Sequence, residues 1–456
     1  VKAPEGARES RKDDAVFYVA ATLVGAITGV IGTALHLGVD KALAWPQWLR
    51  AQVSLDEPLF LLLTGTISAV LVIISVWIVR RFAPEAGGSG VQEIEGAMQG
   101  LRQVRWRRIL PVKFFGGLLA LSSGLVIGRE GPTIHMGASI AQAAAERLKL
   151  ATRQSRGLLA AGAAAGLAAA FSAPLASILL IIEETRREFP YSLRSYTGVM
   201  LASVASGIVT QAIAGSRPFM AMDVPQMPLT TMPLFALLGI ALGFVGVAFN
   251  RCLIRAMDLS LAIGKRSSFY LIPAVVGFLI GALLVLQPDA TMGGETLAVS
   301  LARENPALAI VALIVVARFV MTMASYSTGV PGGIFAPILA LAAAFGLLFG
   351  LCLELVAPLP AGAQAALVVA AMGGLFSATI RAPLVGVVLI AELTGAYTML
   401  LPTLITCLFA NFIADWLGGR PIYEVLLERT LRLAGQPVPP PESDGSGQQI
   451  GGWDQR

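Results

Sequence analysis

The chain has 456 residues, 56% of them hydrophobic without counting 48 glycines, and only 13% charged, about half the roughly 25% usual in soluble domains. That balance excludes a string of soluble domains. The formal net charge of +5 sits in short basic clusters between apolar spans, without the interleaved aromatics of a nucleic-acid surface. A polytopic, all-α membrane protein is the expectation.

In chain order, residues 1–14 carry Lys2, Arg8, Arg11 and Lys12 and are expected in the cytoplasm. The apolar run from Ala15 to about Leu37 is too long for a signal-peptide core and reads as a retained first helix. The chain starts at Val1 without an initiator methionine and is read as trimmed. Further spans are expected at Leu59 to Val79, Leu158 to Ile182, Pro233 to Phe249, Phe269 to Leu286, Ala307 to Met323 and Leu400 to Leu417. Between them, 109–145 and 330–395 are interrupted by Gly, Pro, Ser and Arg. In lipid such breaks are tolerated only where the freed backbone is buried in protein or lines a wet cavity, so these regions are expected to hold the site. One transport domain is read over 15–433, in halves of roughly 15–220 and 230–433. The Pro- and Ser/Gly/Gln-rich segment 434–456 is expected to be disordered.

The basic clusters lie at Arg80 and Arg81, Arg102 to Arg108, Arg147 to Arg156, Arg186 and Arg187, and Lys265 and Arg266. They read as cytoplasmic topology determinants and headgroup contacts. Cys252, Cys352 and Cys407 have no metal-ligand spacing and read as packing residues. His36 and His135 lack partners at ligand spacing, and each reads as a satisfied or lipid-adjacent histidine without a role. No metal site follows.

An internal repeat is visible. APLASILLIIE at 173–183 matches APLVGVVLIAE at 382–392 with the same Pro-to-Glu spacing. Upstream of each lies a small-residue run, Ala160 to Ala170 and Val368 to Leu375, and before that a Gly/Pro-rich helix start, Gly128 to Pro132 and Gly332 to Pro337. Three features in the same order point to two homologous halves, parallel or inverted. Gly157, Ala161, Ala165 and Ala169 form a four-residue stripe suited to close helix packing.

Four segments carry ligand chemistry: Gly87 to Glu93 with Ser89, Gly128 to Thr133 with Glu130, Gly329 to Pro337 with Ile334 and Phe335, and Gly418 to Tyr423. Glu130 stands out as an acid deep in a greasy chain. Its glycines and Pro132 mark a helix N-terminus aimed at an anion, so the acid sits where an anion should bind. Helix N-termini with Ser and Tyr hydroxyls suit a weakly held monovalent anion. The alternatives are plain turns between short helices, and a structural ion pair of Glu130 with Arg129.

GGSGVQEIEG at 87–96, GREGPT at 128–133, AAAGLAAAFSAPL at 163–175, PGGIFAP at 331–337 and GGRPIYE at 418–424 resemble the CLC family of chloride channels and chloride/proton antiporters. The likeness covers nearly the whole membrane domain and is to the bacterial branch, without the C-terminal regulatory domains of many eukaryotic members. It implies an inverted repeat with tilted and broken helices, a homodimer with one pathway per subunit, and a bacterial inner-membrane location. Chloride and protons are the implied transported species, with no cofactor. It implies chloride contacts from the Ser89 and Tyr423 hydroxyls and the Ile334 and Phe335 amides. Glu130 matches the external gate and Glu184 the internal proton acceptor. An acid at 184 favours exchange over the alternative, a passive voltage- or proton-gated chloride channel. Gln92 departs from the pattern, which usually has proline there, so the start of that helix or its selectivity is in question. Ser89 resembles chloride-selective rather than nitrate-preferring members. An intramembrane hydrolase is disfavoured, because no His or Asp accompanies Ser89 at useful spacing.

Overall fold

A computed structural model describes residues 5–438 except 186–188, 190–191, 217 and 305, with side chains from residue 13 onward. The described chain is helical. Its first part holds α1 (Glu5–Ala42), α2 (Trp45–Gln52), α3 (Glu57–Phe82), α4 (Val91–Met98), α5 (Trp106–Ser122), α6 (Glu130–Leu148), α7 (Thr152–Phe171), α8 (Pro174–Glu184) and α9 (Leu193–Ala214). Next come α10 (Met232–Arg266), α11 (Leu271–Leu286), α12 (Glu295–Arg303), α13 (Leu308–Tyr326), α14 (Phe335–Glu354), α15 (Ala363–Ile380), α16 (Pro383–Thr394), α17 (Leu400–Trp416) and α18 (Ile422–Leu433). Eight helical stretches among the described residues are long and apolar enough to cross a membrane. Leu313 and Val316 on α13 and Leu62 and Trp77 on α3 are largely exposed, as lipid-facing residues should be.

The packing repeats. α5 to α9 recur as α13 to α17 with the same neighbours: α6 lies on α7 as α14 lies on α15, and α7 meets α9 as α15 meets α17. Gly90 and Gly294, both left-handed, precede α4 and α12 in the same way. The halves meet head to tail at the sequence repeat. Glu183 at the end of α8 accepts the Val385 amide of α16 at 2.9 Å, while Glu392 in the last turns of α16 accepts the Leu175 and Ala176 amides of α8 at 3.1 and 2.7 Å. Each acid caps the other helix's positive end, which requires the two helices to run antiparallel. The repeat is therefore inverted.

Four expectations change. The span Leu158 to Ile182 is two helices, because Ser172 turns left-handed at φ 52° and Pro174 cannot continue the hydrogen-bond ladder. The stretch 330–395, read as broken, contains α14 and α15, each apolar and long enough to span. The sequence reading missed α9, whose serines and threonine lower its hydropathy. Two of these hydroxyls are satisfied internally: Ser206 Oγ donates to Ala165 O at 2.7 Å, and Thr33 Oγ1 donates to Thr210 Oγ1 at 3.1 Å. The first helix also begins upstream of Ala15, at Glu5. Arg186 and Arg187, and the tail beyond residue 438, lie outside the described residues.

The small-residue stripe faces elsewhere than α6. Gly157 lies against Ser195 and Phe17, and Ala169 against Gly32. The neighbouring positions Gly162 and Gly166 lie on α6, where a Cβ on either would overlap the Gly137 or Thr133 carbonyl. Backbone contact at that distance fixes the height of α6, and with it the residue that opens α6, Glu130.

Candidate functional site

Three glycine-rich loops are stitched together at the centre. Gly88 N donates to Val330 O at 2.9 Å, and Gly332 N donates to Gly88 O at 3.1 Å. Gly128 and Gly333 donate to each other at 2.9 and 2.6 Å. The loop 330–333 thus ties the starts of α4, α6 and α14 to one place, although they are far apart in sequence. Three positive helix ends converge there.

Glu130 opens α6, is fully buried, and points across this junction. Its Oε1 accepts the Phe335 amide at 2.7 Å and the Ala336 amide at 3.4 Å. Side chains at Gly128 or Gly333 would overlap this carboxylate. The second oxygen, Oε2, is buried with no hydrogen-bond partner among the described residues. An unpaired acceptor in so dry a place is costly. The carboxylate therefore occupies the amide donors of α14's first turn, at Phe335 and Ala336. Ile334, expected to donate with Phe335, is the N-cap residue and makes no such contact with Glu130.

Ser89 immediately precedes Gly90, the N-cap of α4, and Tyr423 lies in the first turn of α18. Both are fully buried, and Ser89 Oγ and Tyr423 Oη have no hydrogen-bond partner among the described residues. The serine hydroxyl lies next to Gly131, where a Cβ would stand 2.7 Å from Oγ. The Tyr423 ring packs on Phe335 with centroids 5.8 Å apart, and Phe335 meets Phe376 edge-on at 5.0 Å. The Tyr423 ring thus packs on the aromatic residue whose amide holds Glu130, and the Ser89 hydroxyl lies beside Gly131, the second residue of α6. Glu184 is half-buried at the far end of α8, within electrostatic reach of the Tyr423 phenol.

Several residues of this junction were not singled out in the sequence. Lys113, fully buried on α5, donates from Nζ to Gly88 O at 2.7 Å and Ser89 O at 2.9 Å. Tyr326 Oη accepts the Ser89 amide at 3.2 Å. Gln92 Oε1 accepts the Gly90 amide at 3.2 Å, so the glutamine caps the start of α4 where a proline is usual. Gly90 takes φ 89°, and His135 lies so close that any Cβ would strike its ring. His135, read as satisfied or lipid-adjacent, is fully buried with neither ring nitrogen hydrogen-bonded among the described residues. Lys113 carried a usable signal, since it is the one cation inside the apolar stretch from Ile109 to Ser122, as Glu130 is an acid in an apolar setting.

Outward of Glu130, Arg129 turns away from it. Its guanidinium lies 4.3 Å over the Phe219 ring, donates to His36 Nδ1 and stands 3.6 Å from Asp40. Among the described residues no ion pair joins Arg129 to Glu130, which removes the structural ion-pair reading. Arg318, buried on α13, donates to the carbonyls of Thr291 at 2.6 Å and Gly293 at 2.5 Å and fixes the turn that starts α12.

The sequence model of the voltage gated chloride channel family matches residues 71–415. An H(+)/Cl(-) exchange transporter, ClcA, of Vibrio parahaemolyticus is 43% identical over 419 residues, covering 91% of this chain and 90% of the relative. A protein of the same name from Salmonella agona is 42% identical over 428 residues, covering 91% and 89%. Among solved structures, a slow cyanobacterial Cl-/H+ antiporter superposes with a TM-score of 0.86 at 36% identity, over 92% of this chain and 99% of that one.

Proposed function

Because the chain belongs to the voltage gated chloride channel family, we propose that it exchanges chloride for protons across a bacterial inner membrane, with Glu130 as the moving gate. The observation that carries this reading is the Glu130 carboxylate on the Phe335 and Ala336 amides. A carboxylate and a chloride ion present similar charge to the same donors, so they compete for one place. Chloride arriving from the Ser89 and Tyr423 side displaces the carboxylate, which takes a proton once it is released outward. The neutral acid then leaves the path open. Each proton bound to Glu130 removes its claim on the amides, so the two ions move in opposite directions as linked exchange.

Binding of the ion relies on neutral donors: the two hydroxyls and α14's first amides. Without a full counter-charge the ion is held weakly enough to leave. Glu184 receives protons from the cytoplasmic side. The exchange relatives' names support antiport over a passive channel. A homodimer is part of the proposal, with the exposed apolar residues Leu175, Ile208, Leu384 and Phe412 around the crossed helices α8 and α16 as its contact.

Simultaneous recording of chloride and proton flux from the purified protein in proteoliposomes tests this reading. An imposed chloride gradient should drive protons uphill. Chloride flux with no accompanying pH change would instead establish a passive channel.

A further inference from the structure

Two basic clusters about forty positions apart in sequence meet at one concave site, on the side where such clusters are expected to face the cytoplasm. The end of α4, the start of α5, the end of α6 and the start of α7 surround a cavity of about 1090 Å³. Its lining includes Arg102, Arg105, Arg107, Arg108, Lys149 and Arg156, against one acid, Glu146. Glu146 is exposed and already engaged: Oε2 accepts the Trp106 indole N–H at 2.8 Å and Oε1 accepts Gln142 Nε2 at 3.1 Å, so this one acid stands against six basic residues. Arg102 pairs with Glu93 through bonds of 2.7 and 3.2 Å. For Arg105, Arg108, Lys149 and Arg156 no ion pair is found among the described residues.

The preference of cytoplasmic ends for positive charge accounts for the sign of these residues. It does not account for their convergence on a walled cavity, where like charges repel. Helix α7 also opens onto the cavity. Its first-turn residues Thr152 and Ser155 line the wall, and its N-cap, Ala151, offers no side-chain acceptor, so the first amides of a 20-residue helix are left for another partner. Trp106 carries the guanidinium of Arg107 on its ring at 5.2 Å, which holds that arginine at the rim.

We propose that this cavity binds a phosphoryl group or groups carrying at least two negative charges, supplied by an anionic phospholipid headgroup or by a soluble polyphosphate. Several arginines suit bidentate contact with phosphate oxygens, and free amides and hydroxyls suit the remainder. The volume admits a headgroup or a short polyphosphate but is far larger than a chloride ion needs. The occupant bridges α4 and α5 to α6 and α7, one helix away from Ser89.

The test uses the full chain in detergent, titrated with inorganic pyrophosphate and, separately, with mixed micelles containing phosphatidylinositol 4-phosphate. The triple variant Arg108→Gln, Lys149→Gln, Arg156→Gln is compared with Lys265→Gln, Arg266→Gln, which removes basic charge from the end of α10 instead. Saturable binding that the triple variant weakens by about tenfold or more, and the α10 variant leaves within about twofold, is the expected result. Binding of pyrophosphate alone assigns a soluble source, and binding only of the lipid assigns the headgroup. Equal weakening in both variants would mean diffuse charge attraction and overturn the site, as would no binding of either probe at millimolar concentration.

Discussion

The Phe335 amide donates to Glu130 Oε1 at 2.7 Å, joining the first residue of α14 to the first residue of α6. Two helix starts face each other with one carboxylate between them. If that carboxylate is the gate, Glu130→Gln should behave as its permanently neutral form. Chloride flux should persist while proton pumping falls by more than about tenfold, read with a pH electrode and a chloride electrode on the same vesicles. Retained pumping in this variant would remove Glu130 from the proton path.

Glu184 supplies the contrasting case. It closes α8 rather than opening α14, so if it serves only the proton path Glu184→Gln should leave chloride binding within about twofold of the native protein. Proton movement should fail all the same. Calorimetric chloride titration beside flux measurement separates the two effects, and a large loss of chloride affinity would place Glu184 in the anion site.

Tyr326 and Lys113 hold the backbone that presents Ser89. Tyr326→Phe removes the acceptor of the Ser89 amide while keeping the ring, at a cost of about 0.5–1.5 kcal/mol for a lost hydrogen bond. If Ser89 must be held to serve the ion, chloride binding should weaken roughly two- to tenfold. Unchanged or tighter binding by calorimetry would show that the serine positions itself.

What the sequence displayed and what it hid follow from the range of the interactions. Glu130 was legible because a charge inside an apolar run, flanked by glycine and proline, conflicts with its surroundings. The repeat was legible because both copies need the same proline and the same acid to cap the other. The junction of Gly88, Gly128 and Gly333 was not legible, since its bonds join segments up to about 245 residues apart and no local pattern encodes them. Hydropathy also misled at both kinds of edge. It ran straight through the break at Ser172 and Pro174, and it overlooked α9, whose Ser206 and Thr210 hydroxyls are satisfied inside the helix bundle. Gln92 could be recognised only as a departure; that its side chain replaces the missing proline by capping Gly90 required the folded loop.

The crossed caps should be structural rather than catalytic. Glu392→Ala strips the acceptor from the Leu175 and Ala176 amides at the start of α8, and loss of charged hydrogen bonds of this kind costs about 1.5–3 kcal/mol. Glu392→Gln keeps one oxygen and should cost less. Denaturant unfolding in detergent measures both, and the ratio of chloride to proton flux should stay native in whichever variant reconstitutes. A changed ratio would give this acid a part in transport.

The height of α6 offers a last test, because Gly137 and Gly162 face each other where neither can carry a Cβ without overlapping the other's carbonyl. Gly137→Ala must push α6 away from α7, and overpacking of this sort costs about 1–3 kcal/mol. Since α6 begins at Glu130, the displacement should also pull the carboxylate off the Phe335 amide and loosen coupling, so more chloride should pass per proton. Gly207→Ala is the matched control. Its added methyl would meet Pro174 at an ordinary 3.7 Å, and alanine favours a helix over glycine by about 1 kcal/mol. That variant should be neutral to slightly stabilising with native coupling. If Gly137→Ala unfolds no earlier than Gly207→Ala and keeps its exchange ratio, close backbone packing does not set the position of the gate.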